Sequence, residues 1–171
     1  MKKQKKKNKQ CKPKLFLVAS SGGHLVQLYN LKPFWGKYPR VWATFKTQQS
    51  EIMLKNETVL WLRHPTNVRS IKDFKYALNS FINVVSMFFF MLRHKVTHVL
   101  STGAAPGVSA IWSARILFLG RVKGIFIDSF TRPFSMSFSA KLNYFIADHI
   151  LTQWPDMAKK YKRLKYKGKV L

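Results

Sequence analysis

Acidic residues are scarce in this sequence. Six Asp and Glu residues stand against 31 Lys and Arg, which gives a formal net charge of +25 over 171 residues. Cysteine is nearly absent as well, since Cys11 is the only one. A single cysteine excludes a disulfide framework and a cysteine metal cluster, and it is typical of a reducing compartment. No two histidines have the spacing of metal ligands on one helix face, so we expect neither a metal nor another cofactor.

Long hydrophobic runs are also missing. The longest uncharged stretch, Tyr76–Leu92, contains Asn79, Ser80, Asn83 and Ser86. A membrane-spanning helix needs about 20 predominantly apolar residues, so this stretch is not expected to span a bilayer. The apolar run at Leu15–Ala19 is too short for a signal peptide. We therefore expect a peripheral protein on the cytoplasmic face of the cell membrane.

The remaining composition is that of a folded domain, because 47% of the residues are hydrophobic and 15% aromatic. Residues 1–13 are predicted to form a disordered polybasic tail and residues 14–171 a single domain. Compact apolar runs alternate with helical segments, which predicts an α/β fold with a Rossmann-like parallel sheet and helices on both faces. The predicted strands are Lys14–Ala19, Arg40–Phe45, Thr58–Leu62, Thr97–Ser101, Val122–Asp128 and His149–Gln153. A seventh strand or an interdomain crossover is expected to begin near Val170.

Three loops at the carboxyl ends of predicted strands carry residues suited to chemistry. In Ser20–His24, paired glycines allow close approach of a ligand, and a neutral imidazole at a cleft suits a general base. Ser101–Gly107 has the same small-residue character, and Asp128–Arg132 places a carboxylate four positions before a guanidinium. Each loop also has a structural interpretation: a tight turn with a capping histidine, close packing of a helix on the sheet, and an Asp–Arg pair that holds the loop.

A long helix is predicted at Ile71–Arg93. One apolar face has helical spacing, and we interpret its main stripe as core. This face consists of Phe74, Leu78, Phe81, Ile82, Val85, Phe88, Phe89 and Leu92. The surplus of Phe and Met, with cations at both ends, favours partial insertion into an anionic membrane surface, to which the basic tails would add attraction. An ordinary core helix is the alternative. The side chains predicted to contact the membrane are Phe81, Val84, Met87, Phe88, Phe90 and Met91.

Five segments together resemble one protein family. They are SSGGHL from Ser20, STGAAPG from Ser101, DSFTR from Asp128, KLNYFIAD from Lys141 and QWPD from Gln153. The family comprises bacterial capsular and exopolysaccharide glycosyltransferase subunits that resemble the membrane-recruiting subunit of the eukaryotic two-part UDP-GlcNAc transferase. The family usually has Glu where this chain has Asp128 and Asp156.

The resemblance implies the amino-terminal, acceptor-side half of a GT-B glycosyltransferase. A separate donor-binding subunit would hold a UDP-sugar, and the acceptor would be a lipid-linked saccharide. His24 and Asp128 are then the candidate catalytic residues of an inverting hexosyl transfer. His24 would deprotonate the acceptor hydroxyl, and Asp128 would be either the partner that orients His24 or the base itself. The residues expected to bind acceptor or phosphate are Ser21, Gly22, Gly23, Thr102, Gly103 and Arg132.

Two other functions are compatible with parts of the sequence. The chain could act as a noncatalytic anchor and activator of a partner glycosyltransferase, in which case His24 and Asp128 would tolerate substitution. Its positive charge would also suit nucleic acid, but the stacking aromatics of an RNA-binding sheet are not recognisable, so no nucleic-acid partner is expected.

Overall fold

The computed structural model describes residues 12–64 and 74–170. The strands are β1 (Leu15–Val18), β2 (Arg40–Phe45), β3 (Val59–Leu62), β4 (His98–Ser101), β5 (Lys123–Ile127), β6 (His149–Thr152) and β7 (Leu164–Tyr166). The helices are α1 (Gly23–Asn30), α2 (Lys32–Trp35), α3 (Gln48–Met53), α4 (Phe74–Arg93), α5 (Ala104–Ile116), α6 (Phe138–Asn143) and α7 (Pro155–Lys160).

All neighbouring strands pair in parallel, in the order β3-β2-β1-β4-β5-β6-β7. This sheet confirms the predicted Rossmann-like fold. The order reverses direction between β1 and β4, which are hydrogen-bonded neighbours with Val18 opposite Ser101. In open α/β sheets ligands bind in the crevice at such a switch point, beyond the carboxyl ends of the strands.

The sheet is covered on both faces because side chains alternate along each strand. From β1, Phe16 and Val18 enter the core beneath α4, α5 and α6. Leu15 and Leu17 enter the opposite core, which is covered by α1 and α2. Helix α5 lies very close to the sheet, since a Cβ added at Gly107 would stand 1.9 Å from the Ser101 hydroxyl. Close packing, the structural interpretation of the Ser101–Gly107 loop, therefore accounts for this glycine.

The carboxyl-terminal part of the chain differs from the sequence-based expectation. The seventh strand lies at Leu164–Tyr166 and does not begin near Val170. It is a short edge strand in which Lys165 and Tyr166 are exposed, so it lacks the compact apolar run of the other strands. Helix α2 was not anticipated. The predicted tail up to Cys11 and the first three residues predicted for the long helix, 71–73, lie outside the described residues.

The orientation of helix α4 differs from the prediction, because Phe81 is the only exposed side chain among the six that were predicted to contact the membrane. Met87 and Met91, predicted to contact the membrane, are fully buried in the core on the sheet. Phe90 is also turned inward, with its ring 5.7 Å from that of Phe16. Val84 and Phe88 are half-buried. Of the face interpreted as core, four side chains are instead exposed: Leu78, Phe81, Phe89 and Leu92. Ile82, Val85 and Phe88 from the same face are half-buried, and the Phe74 side chain lies outside the described part of the chain.

Two asparagines explain this orientation. Asn83 accepts a hydrogen bond from the Arg63 backbone N–H and donates one to the Arg63 carbonyl, both at 2.9 Å. Asn79 donates to the His64 carbonyl. The polar side of α4 thus pairs with the backbone just beyond β3, which turns the apolar stripe outward. Within the described residues no helix has both the length and the apolarity that a membrane span requires.

Candidate active site at the switch point

His24 and Thr102 join the two loops that meet at the switch point. The His24 ring Nδ1 lies 3.0 Å from the Thr102 carbonyl oxygen, and the Thr102 hydroxyl donates a 2.7 Å hydrogen bond to the His24 carbonyl. Thr102 is fully buried. This reciprocal pair fixes the loop after β1 to the loop after β4 and holds the imidazole in one orientation.

The bond to Thr102 also determines the tautomer of His24. A carbonyl oxygen can only accept a hydrogen bond, so Nδ1 must carry the proton. In the neutral ring Nε2 then has the free lone pair, and Nε2 is the atom that can accept a proton from a substrate. A histidine oriented by a fixed acceptor on its other nitrogen is the usual arrangement of a general base.

Glycine is required where the imidazole meets the second loop. Gly103 has φ +132°, and a Cβ placed there would stand 2.6 Å from His24 Cε1. Gly22, with φ +84°, precedes α1. At both Gly22 and the exposed Gly23 an added Cβ would meet no atom within 4 Å. The open space over these glycines, next to the half-buried Ser21, leaves backbone amides at the start of α1 accessible to an anionic group.

Asp128 is placed differently from His24. Its side chain is only 1% exposed, Oδ1 accepts a 2.8 Å hydrogen bond from Ser129 N–H, and Oδ2 accepts a 3.3 Å bond from Ser137 N–H. Burial raises the pKa of Asp128, and the hydrogen bonds to its carboxylate oppose this effect. Across residues 12–64 and 74–170 no hydrogen bond joins Asp128 to His24, so the Thr102 carbonyl takes the orienting position that sequence reasoning gave to Asp128 as one option.

The raised pKa of Asp128 predicts a pH dependence of stability. Between the usual value of 3.8 and the raised folded-state value, the folded chain binds more protons than the unfolded chain. The free energy of unfolding therefore falls as the pH rises through this window. Asp128→Asn removes the titration, so wild type should lose stability relative to this variant as the pH rises from below 4. Urea unfolding at a series of pH values measures the difference, and a relative gain by wild type would contradict the assignment.

The Asp128 loop is also connected to the carboxyl-terminal segment. Gln153, 1% exposed, donates a 3.0 Å hydrogen bond to the Asp128 carbonyl and accepts a 2.9 Å bond from Val170 N–H. Sequence reasoning named Gln153 only as the end of a predicted strand and within the QWPD segment, and gave it no role in the site. Arg132 is exposed, and no ion pair in the described ranges links it to Asp128. The positive charge of Arg132 acts on Asp128 only weakly, as the last of the effects that oppose the rise of its pKa. The described residues contain no group of three His, Cys, Asp or Glu side chains arranged to bind a metal.

The parallel sheet and its strand order define the fold class of the protein. The fold is that of the amino-terminal half of a GT-B glycosyltransferase. A family model described as "Oligosaccharide biosynthesis protein Alg14 like" matches residues 15–170. The chain therefore belongs to the Alg14-like family.

The curated relatives are named as subunits of UDP-N-acetylglucosamine transferase. The rat subunit is 25% identical over 180 residues, covering 92% of this chain and 82% of its own length. The Candida albicans subunit is 26% identical over 184 residues, with coverages of 98% and 82%. The Schizosaccharomyces pombe subunit is 48% identical, but over 52 residues that cover 30% of this chain and 25% of its own.

The similarity of this chain to solved structures supports the assignment of the fold but not of a function, because the sequence identities are low. Acinetobacter baumannii MurG superimposes with a TM-score of 0.68 at 17% identity over 93% of this chain. UDP-GlcNAc 2-epimerase from Neisseria meningitidis, bound to UDP-GlcNAc, gives 0.64 at 12% identity over 91%. The match covers 44% of the first solved chain and 46% of the second, so this chain spans less than half of either.

Proposed function

We propose that this chain is the acceptor-side subunit of a two-component inverting glycosyltransferase. A donor-binding partner would hold a UDP-sugar, for which the names of the relatives suggest UDP-N-acetylglucosamine. The acceptor would be a lipid-linked saccharide, in the capsular or exopolysaccharide pathway that the sequence motifs suggest. The observation that carries the proposal is the orientation of His24 at the switch point of a fold that forms one half of a GT-B enzyme. Nδ1 contacts the Thr102 carbonyl, and among the described residues Nε2 has no hydrogen-bond partner.

The residues support one chemical step. A hydroxyl of the acceptor attacks the anomeric carbon of the donor from the side opposite the nucleotide. The new glycosidic C–O bond forms as the bond from that carbon to the nucleotide phosphate breaks, and the electron pair leaves with UDP. The hydroxyl proton passes to His24 Nε2 while Nδ1–H remains on the Thr102 carbonyl. In-line attack inverts the anomeric configuration, and leaving-group stabilisation would come from the partner.

His24 is favoured over Asp128 as the base. Both carboxylate oxygens of Asp128 accept hydrogen bonds from its own loop, and the side chain is buried. A base must reach the proton it removes, and geometry decides before pKa. We assign to Asp128 the role of holding the loop that carries Arg132. The exposed Arg132 guanidinium and the amides after Ser21 would bind acceptor phosphate.

Membrane recruitment would use the whole helical layer on one face of the sheet rather than α4 alone. Large exposed hydrophobic residues are concentrated on α4, α5, α6 and the adjoining loops: Leu78, Phe81, Phe89, Leu92, Trp112, Ile116, Leu117, Leu119, Phe134, Phe138, Leu142 and Phe145. Apolar patches of this extent mark protein or membrane contacts. Exposed cations stand among them at Arg93, Lys95, Arg115 and Lys141, which suits an anionic lipid surface.

A donor-binding measurement tests whether the nucleotide sugar binds to the partner rather than to this chain. Calorimetric titration of the isolated chain with UDP-N-acetylglucosamine should give no tight binding, because the donor site is assigned to the partner. The same titration of the assembled two-chain complex should show saturable binding. Tight binding by the isolated chain would place a donor site here and overturn the proposed arrangement.

A further inference from the structure

A groove lies between α4, α5 and α6 on the exposed helical layer. Its volume is about 450 Å³, within the range of roughly 300–1,000 Å³ that small-molecule sites occupy. Its walls are mainly apolar: Val84, Val108, Trp112, Ile116, Leu117 and Leu142. The Ser113 hydroxyl, at its base, is already bonded to the Ser109 carbonyl at 2.7 Å. The groove therefore offers hydrocarbon contact and almost no polar recognition.

The groove connects to the candidate active site along α5. Ser109 lines both this groove and a smaller cleft formed with Asn83, Ala105 and Pro106, where β2 and β3 end. Pro106 is three residues beyond Gly103, which touches the His24 ring. With a rise of about 1.5 Å per residue, the groove begins roughly 6 Å along α5 from Ala104 and continues for about 12 Å. Groove, cleft and His24 thus follow one another along the first half of α5, so a ligand that reacts at His24 would extend an apolar tail towards the groove.

We propose that this groove binds the hydrocarbon chain of the lipid-linked acceptor. The inference rests on the proposed function and specifies where its substrate lies. Phe81 on α4 is 65% exposed and Phe138 on α6 is 75% exposed, and these two side chains form ridges on either side of the groove. In the groove, Trp112 and Leu142 are 37% and 38% exposed, and Ile116 and Leu117, at the end of α5, are 54% and 48% exposed. The ridges contact the bilayer, and the recess between them holds one extended chain. The saccharide and its phosphate then lie at the carboxyl ends of β1 and β4.

Filling the groove tests the proposal. Val84→Trp narrows it from the α4 wall and Leu142→Trp narrows it from the α6 wall. Each variant should raise KM for the lipid-linked acceptor about tenfold, leave kcat unchanged, and leave KM for the same saccharide phosphate without a lipid unchanged. Ile52→Trp, on α3 at 69% exposure and outside both the groove and the exposed helical layer, is the control and should change neither KM. Equal KM changes for both acceptors, or none, would overturn the proposal.

A binding measurement separates this proposal from the transferase assignment. Farnesyl phosphate should bind the wild-type chain alone, bind both groove-filling variants about tenfold more weakly, and not be displaced by inorganic phosphate. Binding to anionic vesicles should be the same for wild type and these variants. If the variants lose vesicle binding but bind farnesyl phosphate normally, the bilayer itself fills the groove and the proposal fails. If farnesyl phosphate binds as expected but the assembled two-chain complex transfers no sugar, the assignment of the groove as a lipid-chain site is supported and the proposed function fails.

Discussion

His24→Gln in the assembled two-chain enzyme is expected to reduce turnover by about 10²–10⁴-fold, the typical cost of a lost general base. The glutamine amide can still donate to the Thr102 carbonyl, but it offers no nitrogen that can take a proton from the acceptor hydroxyl. Affinity for the partner and recruitment to membranes should remain, since neither uses the imidazole. Steady-state rates with saturating donor and acceptor measure the effect.

His64→Gln is the matched control. His64 lies at the end of β3 with its ring stacked 4.5 Å from that of Phe45, away from the loops that meet at the switch point. Its substitution should leave turnover within about twofold, as for surface changes that cost no more than roughly 0.5 kcal/mol. Near-normal turnover in both His24→Gln and His24→Ala would remove His24 from the chemistry. The noncatalytic anchor would then become the better description of this chain.

Charging the exposed stripe of α4 is expected to release the protein from membranes. Phe81→Glu with Phe89→Glu should weaken binding to anionic vesicles on the order of 100-fold, because burying one Phe side chain contributes about 1.5–3 kcal/mol. Both side chains point away from the core, at 65% and 61% exposure, so the fold should tolerate the change. Vesicle sedimentation measures binding, and high salt should weaken the wild-type interaction by screening the basic surface.

The opposite face of the sheet provides the control for this experiment. Ile52 on α3 is 69% exposed, and α3 packs on the side covered by α1 and α2 through Met53 and Leu54. Ile52→Glu should leave vesicle binding unchanged. If it weakens binding as much as the α4 pair, the apolar layer is not the contact surface. Release of wild type only by detergent, and not by salt or alkaline carbonate, would contradict peripheral attachment.

The order of strands and helices could be predicted because each central strand is a short, compact apolar run. β1 and β2 are buried along nearly their whole length, as strands covered on both faces must be. The loops that follow β1, β4 and β5 were therefore placed correctly at one edge. The sequence of β7 contains no compact apolar run, because β7 is an edge strand and only Leu164 of its three residues is buried.

The orientation of α4 could not be predicted from periodicity. A helical pattern identifies an apolar stripe, but it does not say whether the stripe faces the core or another apolar surface. The orientation of α4 depends on hydrogen bonds between the Asn83 side chain and the Arg63 backbone. These residues are distant in sequence, so a local pattern cannot reveal that they pair. The same limit applies to the site. His24 was identified from its loop, but its orienting partner is the Thr102 carbonyl, 78 residues away.

The most direct test of the shared active site is sugar transfer by each chain alone and by the two together. Radiolabelled UDP-N-acetylglucosamine and a lipid-linked acceptor are incubated with this chain, with its donor-side partner, and with an equimolar mixture. We expect labelled lipid-linked product from the mixture only, because His24 and the donor would lie on opposite sides of one cleft. Robust transfer by this chain alone would contradict the account, and so would full activity of the partner without it.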